Sequence, residues 1–442
     1  MKNKFLALLT LLALPILAFA EDKLDTGDTA WMMMSTALVL LMTPAGLALF
    51  YTGMTRSKNA LNTFSMVMGA FVVAFLVWVI AGYSIAFGTS ADPMLQNVFG
   101  GFGHIMLDGI KWTDLSGSYP TYVFIAFQGT FAAITIAIAS GSVIGRLKFS
   151  TWIIIVILWG LMVYAPITHM VWGGDGAYLF DAGALDFAGG TVVHMNGGLA
   201  GLVLAILVGK RAGYNKVAMK PFSIILTAVG AALLWFGWYG FNAGSAFGAN
   251  AIAGLAVLTT TIATAAGAVT WMLIEWLVYK KATLLGIASG IIAGLVAITP
   301  AAGFVTVGGS LIIGVVGSIV AFFGVVVMKK KLGYDDSLDA FGIHFLAGLW
   351  GALSVAFFAV KDTELLWDGP LKESITKGLE PDVMGQFMVQ LESVLIVGAW
   401  TLVGTVVVYF IASALTGGGR VDEETEYNGL DESVHGEKGM NL

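Results

Sequence analysis

Two histidines lie inside long apolar stretches of the chain, where an ionisable side chain is costly and therefore marks a candidate functional site. His194 lies in Gly189–Gly198 and His344 lies in Phe341–Gly348. A neutral imidazole has one donor and one acceptor nitrogen, so two rings that meet can share a hydrogen bond and relay a proton. Each histidine taken singly is typical of a satisfied core residue, but the matched pair favours a shared site.

A metal site at these histidines is the weaker alternative. Neither a carboxylate nor a thiolate accompanies them within its apolar stretch, and the chain has no cysteine. Protein sites for zinc and similar ions use three or four such ligands. We therefore predict no metal and no other cofactor, and the lack of cysteine excludes disulfides and thiolate catalysis.

Aromatic side chains form a second candidate site. Phe131, Trp172 and Phe241 lie near the ends of apolar stretches. Most such residues belong to the core or to the membrane-interface belt. A subset that faces one vestibule could hold a cation over its ring faces, for roughly 0.5–2 kcal/mol, with Ser245 as a hydrogen-bond acceptor. This is the chemistry of a compact, hydrogen-bonding cation.

Asp186 opens the apolar stretch that contains His194. A carboxylate at this position suits a helix N-terminus, where it accepts backbone N–H bonds and meets the positive end of the helix dipole. We favour this structural role. The alternative is that the negative charge of Asp186 acts directly on a permeating cation.

The elements that position these residues are transmembrane helices. Of the 442 residues, 58% are hydrophobic and 11% are charged, whereas roughly a quarter are charged in soluble domains. The apolar residues come in blocks of about 20, the length that spans a bilayer as a helix. We predict an all-α membrane protein whose eleven spans lie at 30–52, 63–87, 119–145, 149–169, 187–209, 219–243, 249–277, 283–300, 304–328, 339–360 and 387–415.

The N-terminus has the layout of a secretory signal peptide. Lys2 and Lys4 precede the apolar run Phe5–Leu17, and Ala18–Ala20 supplies small residues for cleavage. An uncleaved first helix is the alternative, but a run of about 13 residues is short for a span. We predict that 1–20 is removed, that 21–416 forms the transmembrane domain and that 417–442 is a cytoplasmic tail.

The charges of the loops give the orientation. With an external N-terminus and an odd number of spans, the C-terminus lies in the cytoplasm, and cations should be richer in the inner loops. The inner loops hold Arg56, Lys58, Arg146, Lys148, Lys210, Arg211, Lys216, Lys220, Lys280, Lys281 and Lys329–Lys331, whereas the outer loops hold only Lys111, Lys361, Lys372 and Lys377.

Each histidine falls in the fifth helix of a set of five, if spans one to five and six to ten are equivalent halves. A tandem repeat of five spans has opposite topologies in its two copies, and sites in such folds lie near the midplane where the repeats meet. Glycine, 57 residues in all, is frequent within the spans and favours close helix packing in a tight bundle or oligomer.

Five stretches combine glycine, histidine, aromatic and acidic residues in a specific order: His169–Gly174, Gly183–His194, Phe236–Ser245, Asp339–His344 and Gly429–Asp431. Together they resemble the Amt/Rh family of ammonium transporters, specifically its bacterial Amt branch, over essentially the whole mature chain. The resemblance implies a homotrimer with one pore inside each subunit and a five-plus-five inverted repeat. It also implies ammonium as the substrate, with methylammonium as an analogue.

The resemblance assigns a role to each candidate residue. Trp172, Phe131 and Ser245 match the ammonium recruitment site, and Asp186 matches the aspartate that supports it. Phe131 and Phe241 match a hydrophobic gate, whereas His194 and His344 match the twin histidines of an apolar lumen. Because apolar walls cannot replace the hydration of a cation, the implied mechanism is deprotonation near the gate and passage of NH3.

Four residues depart from the family pattern. Gly145 stands where an acidic residue is usual, which affects a cytoplasmic loop contact. Phe345 follows His344 where glycine is common, which could narrow the lower lumen. In the tail, Tyr427 and Asn428 replace the usual charged pair. The composition of the tail alone predicts a solvated linker, whereas the resemblance implies packing on the cytoplasmic face and docking of a trimeric PII-type signalling protein.

These features indicate an ammonium transporter or ammonia channel in the inner membrane rather than an enzyme or a nucleic-acid-binding protein. An ammonium sensor that signals through its tail is the alternative, but the intact histidine pair and phenylalanine gate favour conduction. A gas channel of the Rh type is disfavoured because Trp172 and Ser245 suit a charged ligand. The glycine-rich stretches lie inside spans and lack the strand, loop and lysine of a phosphate site.

Overall fold

A computed structural model describes residues 23–360 and 383–439; the predicted signal peptide lies outside this part. Ten of its helices are long and apolar enough to cross a membrane, and an eleventh apolar helix, Leu284–Ile298, is shorter. The prediction of an all-α membrane fold with eleven helices is confirmed. They are α1 (Thr26–Met54), α2 (Ser57–Phe87), α3 (Thr121–Val143), α4 (Phe149–Trp172), α5 (Gly190–Val208), α6 (Ile224–Ala243), α7 (Ala251–Tyr279), α8 (Leu284–Ile298), α9 (Val307–Leu332), α10 (Phe341–Phe358) and α11 (Val383–Leu415).

The remaining elements lie in the connections and in the tail. Short helical turns occur at Pro93–Gln96, Ile105–Leu107 and Tyr178–Asp181. Strands β1 (Leu115–Ser116) and β2 (Tyr119–Pro120) form an antiparallel ribbon before α3. The tail contains helix α12 (Glu423–Asn428) and a π-helical turn at Asp431–His435.

Local widening of the helices repeats between the two halves of the chain. The helices α1, α4 and α5 each contain a π-helical turn, and so do their expected counterparts α6, α9 and α10; α2 also contains one, at Trp78–Gly82, whereas its counterpart α7 does not. The matched turns are Met42–Leu47, Gly160–Tyr164 and Gly190–Met195 in the first half, and Tyr239–Ala243, Phe323–Met328 and Phe341–Phe345 in the second. Such turns are uncommon and concentrate at functional sites, so their matched positions support the five-plus-five repeat. Each histidine lies in one of these turns: His194 in Gly190–Met195 and His344 in Phe341–Phe345.

Two glycines bring α5 and α10 into close contact at the histidines. Gly198 and Gly348 each follow a histidine by four residues, one helical turn. A Cβ added at Gly198 would lie 2.5 Å from the backbone nitrogen of Phe345, and one at Gly348 would lie 3.2 Å from Cβ of His194. Because neither position has room for a side chain, the two helices approach backbone to backbone.

The loops that lead into α5 and α10 are buried and cross-linked to the opposite half. The backbone N–H of Phe187 donates to the carbonyl of Pro300, after α8, over 3.1 Å, and that of Leu338 donates to Gly141 in α3 over 3.0 Å. Gln390 of α11 both accepts from and donates to the backbone of Leu185, at 2.7 and 2.8 Å. These hydrogen bonds provide partners for backbone N–H and C=O groups that lie outside regular helices and away from water.

The C-terminal tail packs on the predicted cytoplasmic face of its own subunit, so the prediction of a solvated linker from composition is wrong. Both carboxylate oxygens of Asp431 accept bonds from the first turns of α2, at Leu61 N (3.0 Å) and Asn62 N (2.9 Å). The buried Glu426 accepts from Ala212 N at 2.6 Å and from Arg420 at 2.7 Å. These contacts, which include acidic side chains buried with partners, hold the tail against the start of α2 and the loop between α5 and α6.

Candidate functional site

A cavity of about 150 Å³ opens at the predicted outer end of the bundle and brings Trp172, Ser245 and Asp186 together. The indole Nε1 of Trp172 donates to the backbone carbonyl of Asp186 at 2.8 Å, which fixes the plane of the ring. The Ser245 hydroxyl donates to the carbonyl of Phe241 at 2.8 Å, so its lone pairs remain as acceptors. The cavity therefore combines an oriented aromatic ring with a hydroxyl acceptor.

Gln128 also lines this cavity, and the sequence analysis did not single it out. Its side-chain oxygen is buried and has no hydrogen-bond partner among the described residues. A buried amide oxygen without a donor costs free energy unless a ligand or water supplies one. The signal available in the sequence was a lone amide side chain within the apolar span 119–145.

Two phenylalanine rings stack below the cavity, where the sequence predicted a gate. Phe131 and Phe241 stack with their ring centroids 4.1 Å apart and their planes 11° from parallel, and neither is exposed. Phe131 meets Trp172 edge-on at 6.2 Å, whereas Phe241 lies 5.8 Å from the ring of His194. Rings this close are in van der Waals contact, so no gap separates them.

The two histidines meet beneath this stack, as the sequence analysis expected. The Nδ1 atoms of His194 and His344 are 3.3 Å apart, and the ring centroids are 5.4 Å apart. His194 also stacks on Trp238, with centroids 5.2 Å apart and planes at 19°. Nε2 of His194 is buried without a partner among the described residues, which leaves one polar atom for a solute in the lumen.

The lumen at the histidines is narrow and apolar. A cavity of about 10 Å³ lies there, which is room for about one water-sized molecule. Apart from the two imidazoles its wall consists of Leu47, Phe50, Ile134, Ile138, Leu234, Trp238 and Ile292. A hydrated cation does not fit this space, and a bare one would find no oxygen ligands.

The carboxylate of Asp186 is hydrogen-bonded to the first turn of α5. One carboxylate oxygen accepts from Gly189 N (2.9 Å) and Gly190 N (2.6 Å), and the other from Thr191 N (2.8 Å), the Thr191 hydroxyl (2.5 Å) and Val192 N (3.1 Å). This is the geometry of a helix N-cap. Gly189, with φ of +108°, makes the left-handed turn that lets the chain fold back onto the carboxylate.

Asp336 caps α10 in the same way, and the sequence analysis missed it. Its carboxylate accepts from Ala340 N at 3.2 Å and from Phe341 N at 2.8 Å. The signal was present in the spacing, because Asp186 precedes His194 by eight residues and Asp336 precedes His344 by eight. The two caps and the two histidines are therefore equivalent under the internal repeat.

Two departures from the family pattern now have a structural setting. Phe345 does not line the histidine lumen; its ring stacks on Phe341 with centroids 4.9 Å apart, and its backbone packs against Gly198. Gly145 has a φ of +81°, and a Cβ added there would lie 2.8 Å from Nδ2 of Asn59 and 3.4 Å from Nη2 of Arg56. The first departure thus leaves the lumen unchanged, whereas the second lies in a tight, left-handed turn beside a guanidinium, which favours glycine.

Charged side chains at the predicted inner face form a buried network. Arg146 donates to Gly209 O (2.6 Å), Ser337 Oγ (2.7 Å) and Asp335 O (2.6 Å), while burial lowers its pKa to about 10. Arg211 pairs with the Asp335 carboxylate at 2.6 Å. Burial alone would raise the pKa of Asp335, but the hydrogen bonds and charge of Arg211 outweigh it and hold that pKa below its ordinary value.

A bundle of apolar helices that encloses an outer cavity, an aromatic stack and a histidine pair is typical of a multi-pass membrane transporter. Comparison with known proteins gives the family: residues 30–440 match the Ammonium Transporter Family, and the chain belongs to it. The chain is 47% identical over 423 residues to the ammonium transporter of Aquifex aeolicus, covering 96% of this chain and 95% of that protein. The identity to the ammonium transporter of Bacillus subtilis is 42% over 417 residues, or 94% and 98% of the two chains.

Solved structures agree with this assignment. A structure described as a sensor Amt protein superimposes with a TM-score of 0.82 at 27% identity, over 92% of this chain and 98% of that one. Mep2 of Saccharomyces cerevisiae superimposes with a TM-score of 0.80 at 31% identity, over 91% and 89% of the two chains. The prediction of the family from sequence is confirmed.

Proposed function

We propose that this protein transports ammonium across the inner membrane by recruiting NH4+ in the outer cavity and passing NH3 through the histidine lumen. One observation carries the proposal: the stacked pair Phe131 and Phe241, with centroids 4.1 Å apart, separates a cavity with polar acceptors from a lumen of about 10 Å³ with apolar walls. The two compartments suit the charged and the neutral form of the same solute.

Recruitment rests on side chains that prefer a small cation. The face of Trp172 offers a negative quadrupole, worth about 0.5–2 kcal/mol to a cation that has shed part of its water. Phe131, which was also predicted for this site, does not line the cavity and belongs to the stacked pair below it. The lone pairs of Ser245 and the buried oxygen of Gln128 can accept N–H bonds from the same ion. Asp186 contributes indirectly, because its cap positions the carbonyl that orients Trp172.

Below the stack the solute must be neutral. The transfer of an ion from water into an apolar space costs many kcal/mol, and the lumen offers only the imidazoles of His194 and His344 in return. The proton released near the stack is either left outside or relayed through the histidines. Their Nδ1 atoms, 3.3 Å apart, allow one ring to donate to the other.

The test is current across a supported membrane that contains the protein, recorded when the ammonium concentration is raised. We compare the unaltered chain with His194→Ala and Trp172→Leu, and use Trp112→Leu as the matched control because Trp112 is 79% exposed. A saturable current that both site variants change and Trp112→Leu leaves intact supports the proposal. Absence of both current and ammonia flux in the unaltered chain would refute it.

A second candidate function is an ammonium sensor. One observation favours it: the structure described as a sensor Amt protein has the same fold at a TM-score of 0.82. In that case ammonium would bind in the outer cavity and alter the docked tail without net transport. Tight ammonium binding together with no flux, and a tail whose protease sensitivity depends on ammonium, would favour the sensor.

We further propose a homotrimer with an external N-terminus, after removal of 1–20, and with the tail 417–442 in the cytoplasm available to a PII-type protein. The docked tail supports this, because Asp431 and Glu426 bind loops that carry the predicted inner cations. The chain has no cysteine, so Asp114→Cys and Glu432→Cys can each serve as a single label site. Labelling from outside and from inside shows which side of the membrane each position faces; Asp114 is predicted outside and Glu432 inside. Labelling of Glu432→Cys from outside, or a monomeric mass in mild detergent, would contradict the assignment.

A further inference from the structure

A second cavity, of about 420 Å³, lies at the inner end of the passage. Along α1, Leu47 and Phe50 line the histidine lumen, and Met54 lines the larger cavity. These residues are spaced i, i+3 and i+7, which places them on one face of the helix. The same face therefore leads from the lumen into this cavity, which we call the inner mouth.

The wall of the inner mouth is positively charged. Arg56, Arg211, Lys329 and Lys330 line it, with Asp339 as the carboxylate in the wall. Asp339 pairs with Lys329 at 2.6 Å, and Arg211 is paired with Asp335 behind the wall. Among the described residues these pairs leave Arg56 and Lys330 as the wall cations without an ion-pair partner.

Arg56 has no ion-pair partner among the described residues, although the carboxylates of Glu426 and Asp335 act on it from a distance. Its Nη2 atom is buried and has no hydrogen-bond partner among the described residues. Burial and, after it, the charge of Arg211 lower the pKa of Arg56, which means that the two guanidinium groups repel each other. A buried charged donor without an acceptor is costly, and an anion between the two groups would remove both penalties.

We infer that the inner mouth binds a phosphate-bearing anion through Arg56 and Arg211. A guanidinium group matches the oxygens of a phosphate with its N–H bonds, and Nη2 of Arg56 is free to donate. Arg211 donates from Nε and Nη2 to Asp335, so its Nη1 is the atom that would contact the anion. The volume lies within the range of small-molecule sites and exceeds that of a single halide ion. The anion can be a soluble cytoplasmic phosphate compound or the headgroup of an anionic phospholipid. Since binding is measured without transport, the inference does not depend on which solute crosses the membrane.

The experiment uses the full chain in lipid nanodiscs at low salt, where charge interactions are least screened. In one arm, pyrophosphate is titrated calorimetrically into protein held in phosphatidylcholine. In the other, the protein is prepared in phosphatidylglycerol without pyrophosphate, and retained lipid is counted by native mass spectrometry. Saturable binding in the first arm identifies a soluble ligand, and retention in the second arm alone identifies a lipid headgroup.

Three variants decide whether Arg56 forms the site. Arg56→Gln should weaken binding at least about tenfold, since it removes charge-assisted bonds. Gly145→Asp should have a similar effect, because its carboxylate would lie beside Nη2 of Arg56, which is 3.4 Å from the added Cβ; that Cβ also lies 2.8 Å from Nδ2 of Asn59, at a φ of +81°, so this variant must first be shown to fold. Lys281→Gln removes an exposed cation outside the cavity and should bind as the unaltered chain does.

The outcome is decided by Arg56→Gln even if Gly145→Asp does not fold, because a Gln side chain fits the same space. Saturable binding that is lost in Arg56→Gln and kept in Lys281→Gln establishes the site. The inference is overturned if the unaltered chain binds nothing in either arm, or if Arg56→Gln binds as tightly as the unaltered chain.

Discussion

Asp186→Asn separates the two roles that a carboxylate above the pore could have. In the structure one oxygen of Asp186 accepts from two backbone N–H groups, and the other accepts from two N–H groups and the Thr191 hydroxyl. An asparagine keeps one acceptor oxygen and turns the other position into a donor. Two N–H groups of the first turn of α5 would then face an NH2 group.

The magnitude follows from those two groups. Each buried N–H that loses its acceptor costs about 1–3 kcal/mol, so Asp186→Asn should destabilise the fold by about 3 kcal/mol. Asp336→Asn is the matched control, because its carboxylate accepts only two backbone bonds, from Ala340 and Phe341, and should lose about half as much. Thr191→Val removes a single hydroxyl bond and should cost about 1 kcal/mol.

The assay is thermal unfolding of the purified protein in detergent, combined with the ammonium concentration that gives half-maximal current. If Asp186 acts as a helix cap, Asp186→Asn should lower the thermal midpoint most, Asp336→Asn less and Thr191→Val least. The reasoning fails if Asp186→Asn keeps the midpoint of the unaltered chain while its half-saturating ammonium concentration rises. That result would assign the carboxylate to direct attraction of the cation.

Three further predictions concern packing, the tail and acid stability. Gly198→Ala should lower the thermal midpoint, since its Cβ would lie 2.5 Å from a backbone nitrogen, whereas Gly254→Ala, with no atom within 4 Å, should raise it slightly. Asp431→Asn should speed limited proteolysis of the tail by removing a charged cap worth about 1 kcal/mol, while the exposed Glu432→Gln should not. Because the folded-state pKa of Asp335 is held below its ordinary value, its stabilisation is present at neutral pH and is lost as pH falls below about 4. Asp335→Asn should thus unfold more easily at pH 7 and change less than the unaltered chain between about pH 5 and pH 3.

The spans and the histidine pair could be predicted because each depends on local sequence. A block of about 20 apolar residues is long enough to span a bilayer whatever its neighbours are. A histidine inside such a block marks a candidate site because an ionisable side chain is costly there. The short helix α8 could also be predicted from sequence, since 283–300 is mostly apolar and contains no charged residue. What local sequence did not give was the partner of each polar atom.

The residues that were missed depend on contacts far apart in the chain. Gln390 binds the backbone of Leu185 across 205 residues, and the tail carboxylate of Asp431 caps a helix 369 residues earlier. Neither pairing leaves a periodic signal. The acidic composition of the tail predicted solvation because it says nothing of the unpaired N–H groups at the start of α2 that the acid satisfies.

The two aspartate caps explain why the lumen can be apolar. A helix that begins inside a protein presents four N–H groups without intrahelical partners, together with the positive end of its dipole. Both α5 and α10 begin within one turn or so of the histidines, so without caps these donors would line the passage. Asp186 takes up four N–H groups and Asp336 two.

With those donors occupied, the remaining polar atoms of the lumen wall are those of two imidazoles. Each carboxylate also lies at the positive end of the dipole of the helix that it caps, which stabilises its charge. A cation in the lumen would find no ligand to replace its water. If the outer cavity recruits the ion as proposed, the aspartates act on permeation from a distance, because they occupy donors that would otherwise line the passage.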